Sequence, residues 1–330
     1  LSPCFLKKAR RGTLWLSSKP KQYELMKSSS LVANLRLLAE TFLIFIFILS
    51  LGVLPRSLSL KVGEFLGLCL FFSIRGRRRI ALKNIEIARK GGLKLPFSPE
   101  RIVRMHFINL GRSISELSML SLGKTSIMKD IVFEGIEHYN NAKAKGQGVI
   151  LITGHCGNWE LLSLGISWKG LTTSGVARTL DNPYLNKFME YLRTKFGNKV
   201  IYKTGALKKI FAALKKGESA GILIDQSVVE NEAVVTEFFG EKVYAMKIPA
   251  LLARKTGAAV VPLFINYLGQ GRHRIRFNEE IPLRITDNTE DDILFNTRIF
   301  TEQIEKYIKE HPSEWLWIHR RWKLTLGRKY

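Results

Sequence analysis

Gly148-Val-Ile-Leu-Ile-Thr-Gly-His155-Cys-Gly-Asn-Trp-Glu160-Leu-Leu162 is the stretch on which the reading of this chain turns. Residues 148–153 form a short, wholly apolar run rich in β-branched residues, the pattern of a strand buried on both faces. The run stops at Thr153-Gly154, and residues 157–168 read as a helix. Strand, tight turn and helix in that order make a βα unit. In an open α/β sheet, ligands collect beyond the carboxyl ends of the strands. His155 therefore stands where chemistry is usually done. Glu160 follows five residues later, in the first turns of the helix. A sharp turn at Gly157 would let its carboxylate reach back to one imidazole nitrogen. That contact would fix the tautomer and stabilise the imidazolium formed when the other nitrogen takes a proton. The spacing alone is common, and the bland alternative is a capping histidine beside a surface acid.

Outward from this stretch the alternation continues. Residues 172–177, 219–225, 258–265 and 273–281 read as strands. Residues 183–196, 207–216, 245–256 and about 290–310 read as helices. The pattern predicts an α/β fold with a mixed, mostly parallel sheet flanked by helices. Asp225-Gln226 closes an apolar strand and so also belongs at the active edge, or else anchors a neighbouring loop. Upstream, residues 77–122 carry apolar positions at helical spacing, broken at 91–99 by Gly and Pro.

The N-terminal third is different. Residues 1–30 hold seven Lys/Arg and one acid, and read as a basic, poorly ordered arm. The chain begins at Leu1 and not at a methionine, which leaves its natural start open. Residues 31–74 form a hydrophobic, membrane-anchoring segment, and 75–330 the catalytic domain. Thr41 to Leu54 is apolar throughout but short for a full span, which needs about 20 residues. Extending it to Leu31 admits only Arg36 and Glu40. A second apolar run, Phe65 to Ile74, meets Arg75, Arg77, Arg78 and Arg79, a cluster expected on the cytoplasmic side. One spanning helix, a shallow hairpin and a pair of buried core helices all fit this pattern. Basic residues on both flanks favour a membrane. The run starts too late for a cleaved signal peptide.

The formal net charge is +24, a field that favours polyanions or an anionic membrane surface. The three cysteines, Cys4, Cys69 and Cys156, lie far apart, without zinc spacing. Cys156 adjoins His155, so the two side chains diverge, and no second histidine supports a thiol nucleophile. There is no HExxH, no GxSxG and no phosphate-binding loop. Nucleic-acid binding is the alternative raised by the charge. Trp315, Trp317 and Trp322 with His319, Arg320 and Arg321 could stack on bases, but no nucleic-acid module is visible and none is expected.

At GHCGNWELL the chain resembles the bacterial lipid A biosynthesis acyltransferases, which share an HxxxxD/E motif with the glycerolipid acyltransferases. VARTLDNPYLNKFMEYLRTKFG (176–197), GILIDQS (221–227), EFFGEKVYAMKIPALLARKTGAAVVP (237–262), EWLWIHRRWK (314–323) and RGRRRIALKNIEIA (75–88) extend the resemblance over residues 32–324. It implies a glycerolipid-acyltransferase-like fold and an acyl-carrier-protein thioester as donor. It also implies a glycolipid acceptor, at the cytoplasmic face of a bacterial inner membrane. A thioester is already activated, so no cofactor or metal is expected. His155 and Glu160 fall on the family's dyad. Arg178, Arg193, Asp225 and Gln226 fall on other recurring positions. Backbone N–H groups near Gly157 and Asn158 are candidates for holding an oxyanion. Arg178 and Arg193 could hold acceptor phosphates by paired hydrogen bonds. Relatives acylate other glycolipids, such as mannosylated phosphatidylinositol. A glycerolipid acceptor is the runner-up, although its usual PEG-type loop is missing.

Overall fold

The computed structural model describes residues 31–327, apart from the side chain of Leu324. The expected basic arm, 1–30, lies outside the described residues. Four helices come first: α1 (Leu31–Val53), α2 (Arg56–Ser73), α3 (Arg75–Lys90) and α4 (Pro99–Ser121). Pro55 separates α1 from α2, as a residue lacking an N–H must. Ser98 caps α4, accepting from the Arg101 N–H, and Pro99 occupies the first turn. Between α2 and α3 the chain bends by 89°.

The two apolar helices differ. α1 is long and apolar enough to cross a membrane, and most of it is exposed. α2 packs along α4 so closely that glycine is obligatory. A Cβ on Gly63 would lie 2.5 Å from the Gly111 carbonyl oxygen, and one on Gly67 2.2 Å from that of Phe107.

A short helix, α5 (Ser126–Lys129), leads into the sheet. Its strands are β1 (Ile131–Glu134), β2 (Val149–Thr153), β3 (Ser174–Ala177), β4 (Lys199–Tyr202), β5 (Ser219–Leu223), β8 (Ala259–Gly269) and β9 (Arg272–Phe277). They lie in the order β1-β9-β8-β2-β5-β3-β4. All neighbours are parallel except β8 and β9, which makes the sheet mixed and mostly parallel, as the alternation predicts. The helices between strands are α6 (Ile136–Ala144), α7 (Trp159–Trp168), α8 (Pro183–Thr194), α9 (Ala206–Lys215) and α10 (Ile248–Thr256), followed by α11 (Thr289–Glu310) and α12 (Lys323–Leu326).

β2 is the middle strand, and every one of its residues is buried. Its side chains alternate between two cores. Val149 and Leu151 join Leu161 and Leu164 of α7 on one face. Ile150 and Ile152 join Ile210 of α9 and Phe300 of α11 on the other. That is why the strand reads as continuously apolar instead of alternating.

One expected helix is shorter than the sequence pattern suggests. Ala245 and Met246 end a strand, β7 (Glu241–Met246), which pairs antiparallel with β6 (Ala233–Phe238). The helix starts at Ile248, with Pro249 in its first turn. Val243 and Ala245 alternate inward, a period of two that a helix cannot use.

Candidate active site

β2 and β5 are adjacent and parallel, with Thr153 opposite Leu223. The Ile224 N–H donates to the Thr153 carbonyl at 2.9 Å. His155 and Asp225 each lie two residues beyond that paired position, so the register brings them together. His155 Nδ1 is 2.8 Å from Asp225 Oδ1. The other carboxylate oxygen accepts the His155 backbone N–H at 3.0 Å and the Trp315 Nε1–H at 2.9 Å. An ionised carboxylate only accepts, so Nδ1 carries the proton and Nε2 presents a lone pair. The carboxamide nitrogen of Gln226 is 3.3 Å from Nε2.

The electrostatics follow from burial. Loss of water alone would lower the His155 pKa. The Asp225 charge and hydrogen bond outweigh it, with a smaller contribution from Glu160, and the pKa ends above its ordinary 6.5. Burial would raise the pKa of Asp225. The His155 charge, and hydrogen bonds from His155 and Trp315, instead hold it well below the usual carboxylate range.

The C-terminal segment clips this turn in place. Cys156 and Trp315 form an antiparallel bridge. The Gly157 N–H donates to the Glu314 carbonyl at 2.8 Å, and the Leu316 N–H to the His155 carbonyl at 3.0 Å. Gly157 has a φ of 54°, and a Cβ there would lie 2.4 Å from the Ile265 carbonyl oxygen. Any other residue would meet both left-handed strain of about 1–2 kcal/mol and that clash. Asn158 is the N-cap of α7: its Oδ1 accepts the Leu161 N–H at 3.0 Å. Its Nδ2 donates to Glu116 Oε2 at 2.7 Å, and His273 Nε2 holds the other oxygen of Glu116 at 2.7 Å.

Three site expectations change here. First, Glu160 does not reach His155. Asn158 starts the helix so that Glu160 faces α8, where Arg193 grips it with two nitrogens, Nε at 2.9 Å. Glu160 acts on His155 only through space. Second, of the two backbone N–H groups expected near an oxyanion, that of Gly157 is already committed to the Glu314 carbonyl. Third, Arg178 stands apart, its side chain 80% exposed and paired with Asp181 on the surface. Arg193 is spent on Glu160 instead of being open for a phosphate. Cys156 is buried, and burial pushes its thiol well above the usual range, with Asp225 and Glu314 adding to it. Among the described residues no three His, Cys, Asp or Glu side chains could hold a metal ion.

Sequence reasoning placed Asp225 at the right edge without pairing it with His155. The signal was present: two apolar strands, VILIT and SAGIL, each followed by its polar residue at the same offset. Trp315, Glu116 and His273 left no such signal.

A buried carboxylate orienting an imidazole, at the carboxyl edge of an α/β sheet, is the equipment of an enzyme that takes a proton from a hydroxyl in group transfer. The model of the family described as bacterial lipid A biosynthesis acyltransferase matches residues 26–324, and the chain belongs to that family. It is an acyltransferase. A lipid A biosynthesis acyltransferase of Haemophilus influenzae is 26% identical over 82% of this chain and 84% of its own length. A lipid A biosynthesis palmitoleoyltransferase of Escherichia coli is 26% identical over 82% and 86%. A phosphatidylinositol mannoside acyltransferase of Mycobacterium tuberculosis is 26% identical over 66% and 67%.

Proposed function

We propose that this enzyme moves a fatty acyl chain from an acyl-carrier-protein thioester to a hydroxyl of a lipid A precursor or a related glycolipid. The observation that carries the reading is the His155–Asp225 pair, which leaves Nε2 as the unprotonated ring nitrogen. Nε2 removes the hydroxyl proton, and the oxygen attacks the thioester carbonyl. The C–S bond breaks, and the leaving thiolate takes the proton back from the imidazolium. Donor and acceptor react directly, without an acyl-enzyme. Asp225 keeps the tautomer and stabilises the imidazolium. The Gln226 carboxamide, beside Nε2, is the donor placed nearest a developing oxyanion. Glu160 contributes negative potential at longer range.

The acceptor rests on the names of the relatives, two of which act in lipid A biosynthesis. The mycobacterial relative supports a second reading, a phosphatidylinositol mannoside. The donor rests on family resemblance and on the charge of +24, which steers acidic carriers toward the enzyme. An inner-membrane location with the site at the cytoplasmic face rests on the same resemblance, on α1 and on the arginines that open α3.

The purified enzyme should use carrier-protein thioesters in preference to coenzyme A thioesters, and slow as salt rises. Equal rates with both donors at all ionic strengths would count against the donor. Mass spectrometry of lipids from cells with and without the protein identifies the acceptor. A lipid A fraction that keeps its full set of acyl chains would remove the first reading.

A further inference from the structure

The length and hydropathy of α1 suggest a helix that crosses the bilayer. Its contacts point elsewhere, because its middle and its far end are tied to the same domain. In its first half, Asn182 at the start of α8 donates to the Leu37 carbonyl at 3.1 Å and to the Thr41 hydroxyl at 3.0 Å. Just beyond, the rings of Phe45 and Phe188 meet at 4.8 Å. At its far end Leu51 is buried, and Gly52 lies so close to α4 that a Cβ would stand 2.7 Å from the Ser118 carbonyl oxygen. Lys124 donates to the carbonyls of Val53 and Leu54, both at 3.0 Å. Arg56, two residues on, pairs with Asp130 and donates to the Gly271 carbonyl at 2.7 Å. Asp130 adjoins β1, and Gly271 is the β8–β9 turn.

A crossing helix separates its ends by a hydrocarbon core about 30 Å thick. Here that would carry Arg56, Lys124, Asp130 and the adjoining edge of the sheet through the core. Charged groups inside the bilayer are costly. The outer face of α1 nonetheless needs an apolar partner: Phe42 is 66% and Leu43 65% exposed. Beside it, α8 turns Tyr184, Lys187 and Tyr191 outward, at the i, i+3, i+7 spacing of one helical stripe. Tyrosine and lysine, with apolar stems and polar tips, belong at headgroup level.

We propose that α1 lies along a single leaflet, with its two ends on the same side, and that the Tyr184–Lys187–Tyr191 stripe of α8 rests on that leaflet beside it. The partner is a lipid surface, which takes the exposed apolar face of α1. This rests on the proposed lipid acceptor and gives it a route. Arg193, two residues past Tyr191, grips Glu160 at the site, so an acceptor headgroup meets the enzyme without its tails leaving the leaflet.

The test uses the full chain with one tag before Leu1 and another after Tyr330, in sealed membrane vesicles. Protease added outside should remove both tags, or neither until detergent opens the vesicles. One tag cut and the other protected means that α1 crosses, and overturns the proposal. Tyr191→Asp should lower the bound-to-free ratio about tenfold, the loss of one apolar side chain from the interface. A crossing helix would leave that ratio unchanged, and an unchanged ratio also overturns it. A wild-type chain that does not float with vesicles ends both this proposal and the membrane reading. Acyl transfer measured in detergent tests the chemistry separately.

Discussion

Two carboxylates act on His155, one by contact and one through space, and they are held in different ways. Asp225 arrives from 70 residues away, by strand register, and is buried among three donors: the His155 imidazole, the His155 N–H and the Trp315 indole. Glu160 is five residues away and never touches the ring, because the start of α7 turns it toward Arg193. Closeness in sequence therefore did not decide which acid orients the imidazole. In a parallel sheet, neighbouring strand ends share one register, so a residue far along the chain can sit nearer than one in the next helical turn.

The comparison is anchored by the largest expected effect. His155→Ala should lower turnover about 10²–10⁴-fold, the usual range for losing a general base, in a protein whose folding is checked by circular dichroism. Near-normal turnover would remove the base from the mechanism.

Next comes the inner carboxylate. In Asp225→Asn the new amide can donate to Nδ1, which favours the tautomer with its proton on Nε2, the wrong nitrogen. A loss of about 10²–10³-fold is expected. The pH profile separates this from simple misfolding. Wild-type kcat/KM should rise with pH through a value above 6.5, because His155 must be neutral to act and its pKa is raised. Without the Asp225 charge, burial remains and pulls the pKa down, so the acidic limb should move to lower pH. A limb that stays put means that Asp225 does not control His155.

The outer carboxylate sharpens the contrast. Glu160→Gln should cost about tenfold, as befits a charge acting through space worth about 1.4 kcal/mol. Arg193→Met combined with it should add little, since the pair works as one unit. If Glu160→Gln is as severe as Asp225→Asn, the outer acid takes a direct part and the ranking fails.

Glu314 gives a smaller effect, on stability. Burial pushes its carboxyl up to about 7, against the pull of the Tyr267 N–H and the Tyr307 hydroxyl. A raised acid pKa favours the folded state most below the ordinary value, and that contribution fades as pH rises toward 7. Denaturation midpoints should fall between pH 5 and 8, and Glu314→Gln should flatten the decline. An unchanged slope would show that another group sets it. Smallest of all, Cys156→Ser should leave turnover within about twofold, because a protonated, buried thiol has no step to perform.

The sequence by itself determined the class of fold and the sheet edge on which His155 and Asp225 stand. Apolar runs such as VILIT and SAGIL carry no polar alternation, which only a strand covered on both faces tolerates. Local pattern also placed His155 at a strand end. It read less well where two periods overlap, as at Ala245, and where a buried polar group finds a distant partner, as Glu116 does in His273. Only the tertiary structure decided which acid pairs with His155, that the tryptophan segment clips the His155 turn, and that α1 rests on one domain at its middle and its far end. The reason is physical. Periodicity and turn chemistry are properties of a few adjacent residues, whereas strand order, register and packing are set by the whole sheet, which brings together residues that no local pattern pairs.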